Sequence, residues 1–282
     1  MSQTSEQVNN PVSQQELIHE NTLYAEPIAH IGNITITNSL MTSVLALVIV
    51  AILSMAISRK IKQVPTGIQN AMEMIIEGFL GIFDSVTGSR AKSLKFAPVV
   101  LSFFFFVLIN NWLGLIPGVG SIGQIALQNG EKVFIPYFRG GTADLNTTLA
   151  LATIGVVLSH IVGIIAIGWW KYLNKFINIK AILDIPVKII KDPMILLINP
   201  IRFFVGLIEV VSELAKIVSL SFRLFGNVFA GEVLLASMSA ILAFGVPIPF
   251  MFLEIFVGLI QALIFAMLIL TYLTINTTVE EE

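Results

Sequence analysis

Long stretches without charged residues constrain this chain more than any other feature of its sequence. Residues 40–57 form an uncharged apolar run of 18 residues, and residues 195–275 are almost continuously apolar, with one break around AFGVPIPF. About 20 apolar residues are enough for a helix to cross a bilayer. Only 12% of the 282 residues are charged, whereas soluble domains carry about 25%. The sequence therefore predicts an integral membrane protein.

The composition also excludes several classes of function. The net charge is −2 and no basic tract is present, so nucleic acid is not an expected partner. The chain has no cysteine, which excludes disulfides, thiolate metal sites and cysteine nucleophiles. Its three histidines, His19, His30 and His160, lack metal-ligand spacing, and no phosphate-binding loop occurs. We expect neither a metal nor another cofactor.

The apolar runs predict an all-α polytopic membrane protein. One membrane domain, residues 39–282, follows a polar tail, residues 1–38, which lacks the features of a signal peptide. Residues 64–86 have apolar side chains at helical spacing interrupted by acids and amides, which predicts an amphipathic helix. Around LQNGEKVFI, the Asn-Gly pair favours a small β-hairpin. The five predicted spans are residues 40–57, 98–117, 147–170, 201–242 and 250–275.

Basic residues are distributed unequally between the segments that connect these spans. In the five-span arrangement only Lys132 and Arg139 lie in the loops on one side of the membrane. Positive residues collect on the cytoplasmic side of membrane proteins, so we expect the N-terminus outside and the C-terminal TVEEE inside. The residues assigned to the cytoplasmic side are Arg59, Lys60, Lys62, Arg90, Lys92, Lys95, Lys171, Lys175, Lys180, Lys188 and Lys191.

The fourth predicted span is too long for a simple crossing. A helix over residues 201–242 measures about 63 Å, roughly twice the hydrocarbon thickness, so we expect it to be strongly tilted. The fifth span returns antiparallel, and in such a hairpin residues at one depth have a nearly constant index sum. Arg223 and Gln261 sum to 484, and Glu232 and Glu254 sum to 486. The prediction pairs the two carboxylates at one level.

Arg223 is the most costly residue of this hairpin. Estimates for an arginine at mid-membrane run from about 2.5–3.5 to about 10–17 kcal/mol, and such residues usually line ion pathways. Asn227 shares its helix face, but Glu232 is rotated by about 180° and displaced by about 13.5 Å. We therefore expect the counter-charge of Arg223 on another subunit. For Glu209, Glu213 and Lys216, a structural ion pair and a functional role stay equally open.

The segment around Arg223 resembles a known family. Residues 219–232, SLSFRLFGNVFAGE, are similar to the S-L-x-x-R-L-F-G-N-x-x-A-G-E signature of subunit a of F-type ATP synthases, which surrounds an essential arginine. Four more motifs occur in the family's order, so that the resemblance covers most of residues 40–275. They are VPTGIQNAMEMIIEG, NNWLGLIPG, TADLNTTLAL and GLIQALIFAMLILTYL.

The resemblance implies a function and its residues. The chain would be the proton-translocating stator subunit, without catalysis of its own, and its last two helices would form a long tilted hairpin against a c-ring. Arg223 would face the rotor carboxylates, with Asn227 and Gln261 beside it. Glu232 and Glu254 would line the half-channel to the outer face, and which of them dominates proton transfer stays open.

Three further residues have weaker assignments by the same resemblance. Asp144 and Asn146 match the element near the mouth of the outer half-channel. His160 recurs in some members of the family, and polar packing is favoured over a relay. The expected partners are the c-ring, the peripheral-stalk subunit b, the rest of the complex and membrane lipid, in the inner (plasma) membrane of a bacterium. Proton is the default coupling ion.

Two other functions compete with this interpretation. A secondary transporter would show internal repeats and broken helices at matching positions, and neither is visible in the sequence. A purely structural membrane scaffold does not account for charges at paired depths on facing helices. Whether the purified protein comes with a ring of small hairpin subunits separates the three hypotheses, because only the ATP synthase subunit is expected to do so.

Overall fold

The computed structural model describes residues 24–59, 67–128, 131–176, 195–242 and 245–278. Within these ranges the chain forms two β-hairpins and seven α-helices. The hairpins pair β1 (Pro27–Ile31) with β2 (Ile34–Thr37) and β3 (Gly123–Gln128) with β4 (Glu131–Pro136). The helices are α1 (Asn38–Ser58), α2 (Ile68–Thr87), α3 (Arg90–Leu115), α4 (Leu145–Ile167), α5 (Trp169–Phe176), α6 (Ile195–Ile241) and α7 (Pro247–Thr277).

The helices confirm an all-α polytopic membrane protein. The predicted spans at residues 40–57, 147–170 and 250–275 match α1, α4 and α7 to within three residues at each end. Among the described residues, four helices are long and apolar enough to cross a membrane, namely α1, α3, α4 and α7. The predicted fourth span is the 47-residue helix α6, which is not one of these four. At 1.5 Å per residue, α6 is about 70 Å long.

Three features differ from the sequence predictions. The last part of the predicted polar tail forms the β1–β2 hairpin, and the Asn38 side chain ties the hairpin to α1 by accepting from the Glu26 backbone N–H at 3.2 Å. Helix α3 begins at Arg90, whereas the predicted span began at residue 98, and Pro98 lies inside the helix. Proline is tolerated inside membrane helices more often than in soluble ones. Span three ends at Gly168, whose positive φ of 95° turns the chain into α5.

Several predicted elements lie outside the described residues. They are residues 1–23 of the tail, Lys60 and Lys62, the Asn129-Gly130 turn, the basic connector over residues 177–194, and residues 279–282. The strands on both sides of the Asn-Gly pair are described and form the predicted antiparallel hairpin.

Helices α3 and α7 form the centre of the protein. Their buried side chains, including Val100, Phe104, Phe265 and Ile269, make one apolar cluster with residues of α2, α4 and α6. Close approach of α4 to α7 depends on Gly155, since a Cβ there would overlap the Ile269 side chain. Association of membrane helices depends on such packing by small residues.

Helix α2 is amphipathic, as its sequence pattern predicts. Its residues Leu80 and Phe83 are buried in the apolar cluster, while Glu73 and Glu77 are exposed. Arg90 at the start of α3 pairs with Glu77 at 2.7 Å and with Asp84 at 2.9 Å. These exposed ion pairs fasten one edge of α2 to α3.

Side-chain contacts divide the molecule into two ends. At the hairpin end, the two hairpins meet through Gln124 and the Ile28 carbonyl, and the start of α1 meets the loop before α4 through Thr42 and Arg139. At the opposite end, which we call the α5 end, helix α5 packs on α4 and α6. Helices α1 and α4 begin at the hairpin end, where α3 finishes, so the basic residues Arg59, Arg90, Lys92, Lys95 and Lys171 belong to the α5 end.

Candidate functional site

Arg223 lies on an exposed face of α6. Its side chain makes no hydrogen bond and no ion pair with any residue in the described ranges. The neighbouring Phe222 is 55% exposed, and Gly226, one turn further, has open space where a side chain would stand. Arg223 thus presents a permanent positive charge on the outside of this chain, within an apolar surface.

Asn227 and Gln261 are half-buried and likewise form no hydrogen bond within the described part of the chain. Both are amides, which can donate and accept hydrogen bonds. Polar side chains at membrane depth usually find a partner inside the bundle or line a cavity. Arg223 and Asn227 on α6 and Gln261 on α7 are thus three polar groups whose side chains make no hydrogen bond within the described part of the chain.

Glu232 forms an ion pair that its sequence context did not predict. The Arg139 guanidinium donates from Nε and Nη2 to Glu232 Oε2 at 3.0 and 2.9 Å. Only 9% of the Arg139 side chain and 23% of the Glu232 side chain are exposed. The sequence indicates only that Arg139 lies in a loop between predicted spans. It gives no sign of the pairing, because Glu232 is 93 residues away.

Glu254 has a different environment from Glu232. It is buried on α7, and within the described ranges it makes no hydrogen bond and no ion pair. Its carboxyl group packs on Gly231 of α6, where a Cβ would overlap it. The indices of these two contacting residues sum to 485, between the predicted sums of 484 and 486. Within the described residues, one carboxylate at this level is therefore paired and the other has no ion-pair partner.

Asp144 is the N-cap of α4. Its carboxylate accepts from the backbone N–H groups of Asn146 and Thr147 at 3.3 and 3.2 Å, and from the Thr147 hydroxyl at 2.9 Å. The Ala25 N–H also donates to it, at 3.2 Å. An N-cap of this kind stabilises a helix by about 1 kcal/mol. The Asn146 side chain is exposed.

A polar belt links α3 to α7 and to the loop before α4. Asn111 donates to the Gly258 carbonyl at 3.0 Å and accepts from the Thr142 hydroxyl at 2.6 Å. The indole N–H of Trp112 donates to the Ile255 carbonyl at 3.2 Å. The NNWLGLIPG and TADLNTTLAL motifs contain these side chains, but only the fold shows that they meet. The belt contacts α7 at residues 255 and 258, which follow Glu254 on the same helix.

A second charged cluster lies toward the α5 end. Lys216 donates to Glu213 Oε1 at 2.7 Å, and His160 Nε2 lies 3.3 Å from Glu213 Oε2. The other ring nitrogen of His160 contacts the Tyr172 hydroxyl at 2.5 Å. Burial, with the charges of Glu213 and Glu209, raises the pKa of Tyr172 to about 12, so this hydroxyl stays protonated. Through these contacts His160 joins α4, α5 and α6.

Arg223 separates the two charged clusters along α6. With a rise of 1.5 Å per residue, it is about 15 Å from Glu213 on one side and about 13.5 Å from Glu232 on the other. Within the described ranges, no three acidic, histidine or cysteine side chains come together to hold a metal ion. The arrangement suits the binding and transfer of protons at two separate levels, divided by a fixed positive charge.

Comparison with known proteins gives one consistent result. A family model described as ATP synthase A chain matches residues 39–274. A protein named ATP synthase subunit a from Campylobacter jejuni subsp. jejuni is 34% identical over 237 residues, covering 84% of this chain and 88% of that protein. Proteins of the same name from Geobacter sulfurreducens and Trichlorobacter lovleyi are 34% and 30% identical, over 81% and 87% of this chain and 82% and 89% of their own lengths.

Proposed function

The chain belongs to the ATP synthase A chain family, and from this premise we propose that it is the stator subunit whose essential arginine couples proton flow to c-ring rotation. The observation that carries the proposal is the environment of Arg223. It is exposed in an apolar face of α6, has no partner in the described ranges, and lies between two charged clusters. A rotor carboxylate on another subunit supplies the counter-charge that this surface lacks.

The proposed mechanism follows from the properties of a permanent charge. A proton enters from one side, neutralises a rotor carboxylate, travels with the ring and leaves through a separate opening. Moving one proton down 100 mV is worth about 2.3 kcal/mol. A fixed positive charge between the openings favours the ionised form of the approaching carboxylate and stops a direct leak. Arginine suits this position because its guanidinium stays protonated in proteins.

The hairpin of α6 and α7 is proposed to face the c-ring. A helix of about 70 Å crosses a hydrocarbon core of about 30 Å only if it is strongly tilted or extends beyond it. We propose that α6 crosses in this way, as the fourth of five spans in chain order. The open space at Gly226, beside Arg223, lets a partner helix approach the backbone closely. Asn227 and Gln261 are proposed to orient the proton carriers on both sides of Arg223.

The outer half-channel is proposed to reach Arg223 from the hairpin end, past Glu232 and Glu254. Asp144 and Asn146 belong to its mouth, where Asp144 shapes the loop as a helix cap because its oxygens accept from four donors. The second half-channel opens toward the α5 end. His160 packs there with Glu213 and Tyr172.

A purification experiment tests the proposed function. The other subunits would be the c-ring, the peripheral-stalk subunit b and the catalytic head, where ATP chemistry takes place. We expect the tagged chain, extracted from the bacterial inner membrane in mild detergent, to co-purify with a ring of small hairpin subunits. Vesicles stripped of the catalytic head should conduct protons with this chain and lose the conductance without it. A transporter or scaffold would purify without a ring, and that outcome overturns the proposal.

The orientation has its own test. The α5 end carries most described basic residues, which supports a cytoplasmic α5 end and an outer hairpin end. An impermeant thiol reagent applied outside should label cysteines introduced at Asn129 or Gly245, but not at Lys175 or Glu281. The native chain has no cysteine, so it serves as the unlabelled control. The reverse labelling pattern contradicts this orientation.

A further inference from the structure

We propose that Arg139 is a positioning residue of the outer half-channel, which holds Glu232 in an ion pair and leaves Glu254 as the proton carrier at that level. This inference rests on the proposed function and adds to it. The sequence motifs left the roles of the two carboxylates open, and they contain no residue corresponding to this arginine. The juxtaposition of Arg139 with Glu232 exists only in the folded chain.

The Arg139 side chain is built into the hairpin end. Besides its two bonds to Glu232, it donates from Nη1 to the Tyr24 carbonyl at 3.3 Å. Its backbone N–H donates to the Thr42 hydroxyl at 3.2 Å, which fixes the residue at the start of α1. Its side chain is 9% exposed. A guanidinium held in this way by several elements keeps its position beside Glu232.

Two glycines allow the loop of Arg139 to reach this depth. A Cβ on Gly114 of α3 would lie 2.9 Å from the Gly140 Cα, so the loop backbone packs directly on α3. A Cβ on Gly140 would lie 3.4 Å from Glu232 Oε1. The loop therefore covers Glu232 with its backbone on one side and with Arg139 on the other.

The electrostatic consequence differs for the two acids. A charge-assisted pair with two donors on one oxygen favours the ionised form of Glu232. A carboxylate that stays ionised transfers protons poorly, because it does not accept one during the cycle. Glu254 has no cationic partner in the described ranges and is buried against Gly231, so it is free to alternate between its two forms.

The test uses the assembled complex in inverted vesicles and measures ATP-driven proton pumping. We expect Glu232→Gln to reduce pumping strongly, because it removes the carboxylate that the buried Arg139 guanidinium contacts beside the path. The double variant Arg139→Gln/Glu232→Gln removes both charges and should recover pumping to within about twofold of the unmodified complex. If Glu232 carries the proton, the double variant stays as inactive as Glu232→Gln, and the proposal is wrong.

A second readout separates positioning from general damage. Arg139→Gln removes a fixed positive charge from this level, which favours the protonated form of the carboxylates there. Passive proton flux through stripped vesicles should then depend on the outer-side pH with a midpoint at least about one unit higher. Arg139→Lys keeps a positive charge and should keep the original midpoint at lower amplitude. Unchanged midpoints in both variants overturn the proposal.

The matched control is the exposed pair at the α5 end. Arg90→Gln/Glu77→Gln removes an arginine and a glutamate whose side chains are 42% and 69% exposed, and we expect pumping and the midpoint to stay unchanged. The amount of chain in the purified complex is measured for every variant, and flux is expressed per assembled complex. Failure of the proposed function gives a different result, because the unmodified complex would then conduct no protons at all.

Discussion

Replacing Arg223 with alanine is expected to abolish ATP synthesis while passive proton leak through the membrane sector persists or rises. Both effects have one cause, the loss of a permanent charge between two openings. Without it, nothing forces the approaching rotor carboxylate to ionise, and an opposite charge nearby changes that balance by about ten- to a thousandfold. The same loss removes the barrier between the half-channels, so that protons pass without turning the ring.

The lysine variant tests whether a permanent charge at this position is what matters. Arg223→Lys keeps a charge, but a compact one on a flexible stem that loses its proton more easily when it is desolvated. We expect this variant to block the leak better than alanine and still to fail in normal synthesis. The measurement is ATP synthesis in intact vesicles beside passive proton permeability in vesicles stripped of the catalytic head.

Arg90→Ala is the matched control for this experiment. Arg90 is also an arginine, but its side chain is 42% exposed and its partners are Glu77 and Asp84. Exposed ion pairs of this kind contribute about 0–1 kcal/mol, so synthesis and leak should stay normal. Substantial synthesis in Arg223→Ala would make Arg223 a structural charge and would contradict the proposed mechanism.

The second large effect is expected at Glu254. Glu254→Gln keeps the shape of the buried side chain and its packing on Gly231, but an amide cannot bind and release the proton. Transfer by a positioned acid or base contributes about 10²–10⁴-fold, so pumping should fall by at least about tenfold. Glu254→Asp keeps the carboxyl group and should retain part of the activity.

ATP-driven proton pumping and the amount of assembled complex are measured together for these variants. Glu77→Gln is the control, because it removes a carboxylate whose side chain is 69% exposed on α2. Full pumping by Glu254→Gln would remove Glu254 from the proton path. If Glu254→Asp were as inactive as Glu254→Gln, the position of the carboxyl group, and not only its chemistry, would be essential.

The sequence reveals Arg223 more clearly than the residues that support it. A permanent charge within a long apolar run is a local signal, and the cost of burying it points to function without any knowledge of the fold. Arg139 gives no such signal, because a charged residue is ordinary in a segment that the sequence identifies as a polar loop. Its partner Glu232 is 93 residues away, and only the packing of the loop on α3 brings the two together.

Asp144 shows the same limit for a residue that the sequence did single out. The resemblance predicted a place at a channel mouth, and only the structure shows that Asp144 is also a helix cap that accepts from Ala25, 119 residues away. Pro98 shows the limit for a local rule. Proline commonly begins helices, and the predicted span started at residue 98, but α3 continues through Pro98 because membrane helices accommodate proline.

The sequence by itself determined the membrane class, the approximate positions of the apolar helices, the amphipathic α2 and the isolated charge at Arg223. These features depend on local hydrophobicity and helical periodicity within about 20 neighbouring residues, which decide whether a segment forms a membrane or an amphipathic helix. The tertiary structure alone decided that Glu232 pairs with Arg139, that Glu254 has no such partner in the described part of the chain, and that His160 meets Glu213. Those contacts depend on how distant helices and loops pack, because an ion pair needs its two charges within a few ångströms of each other.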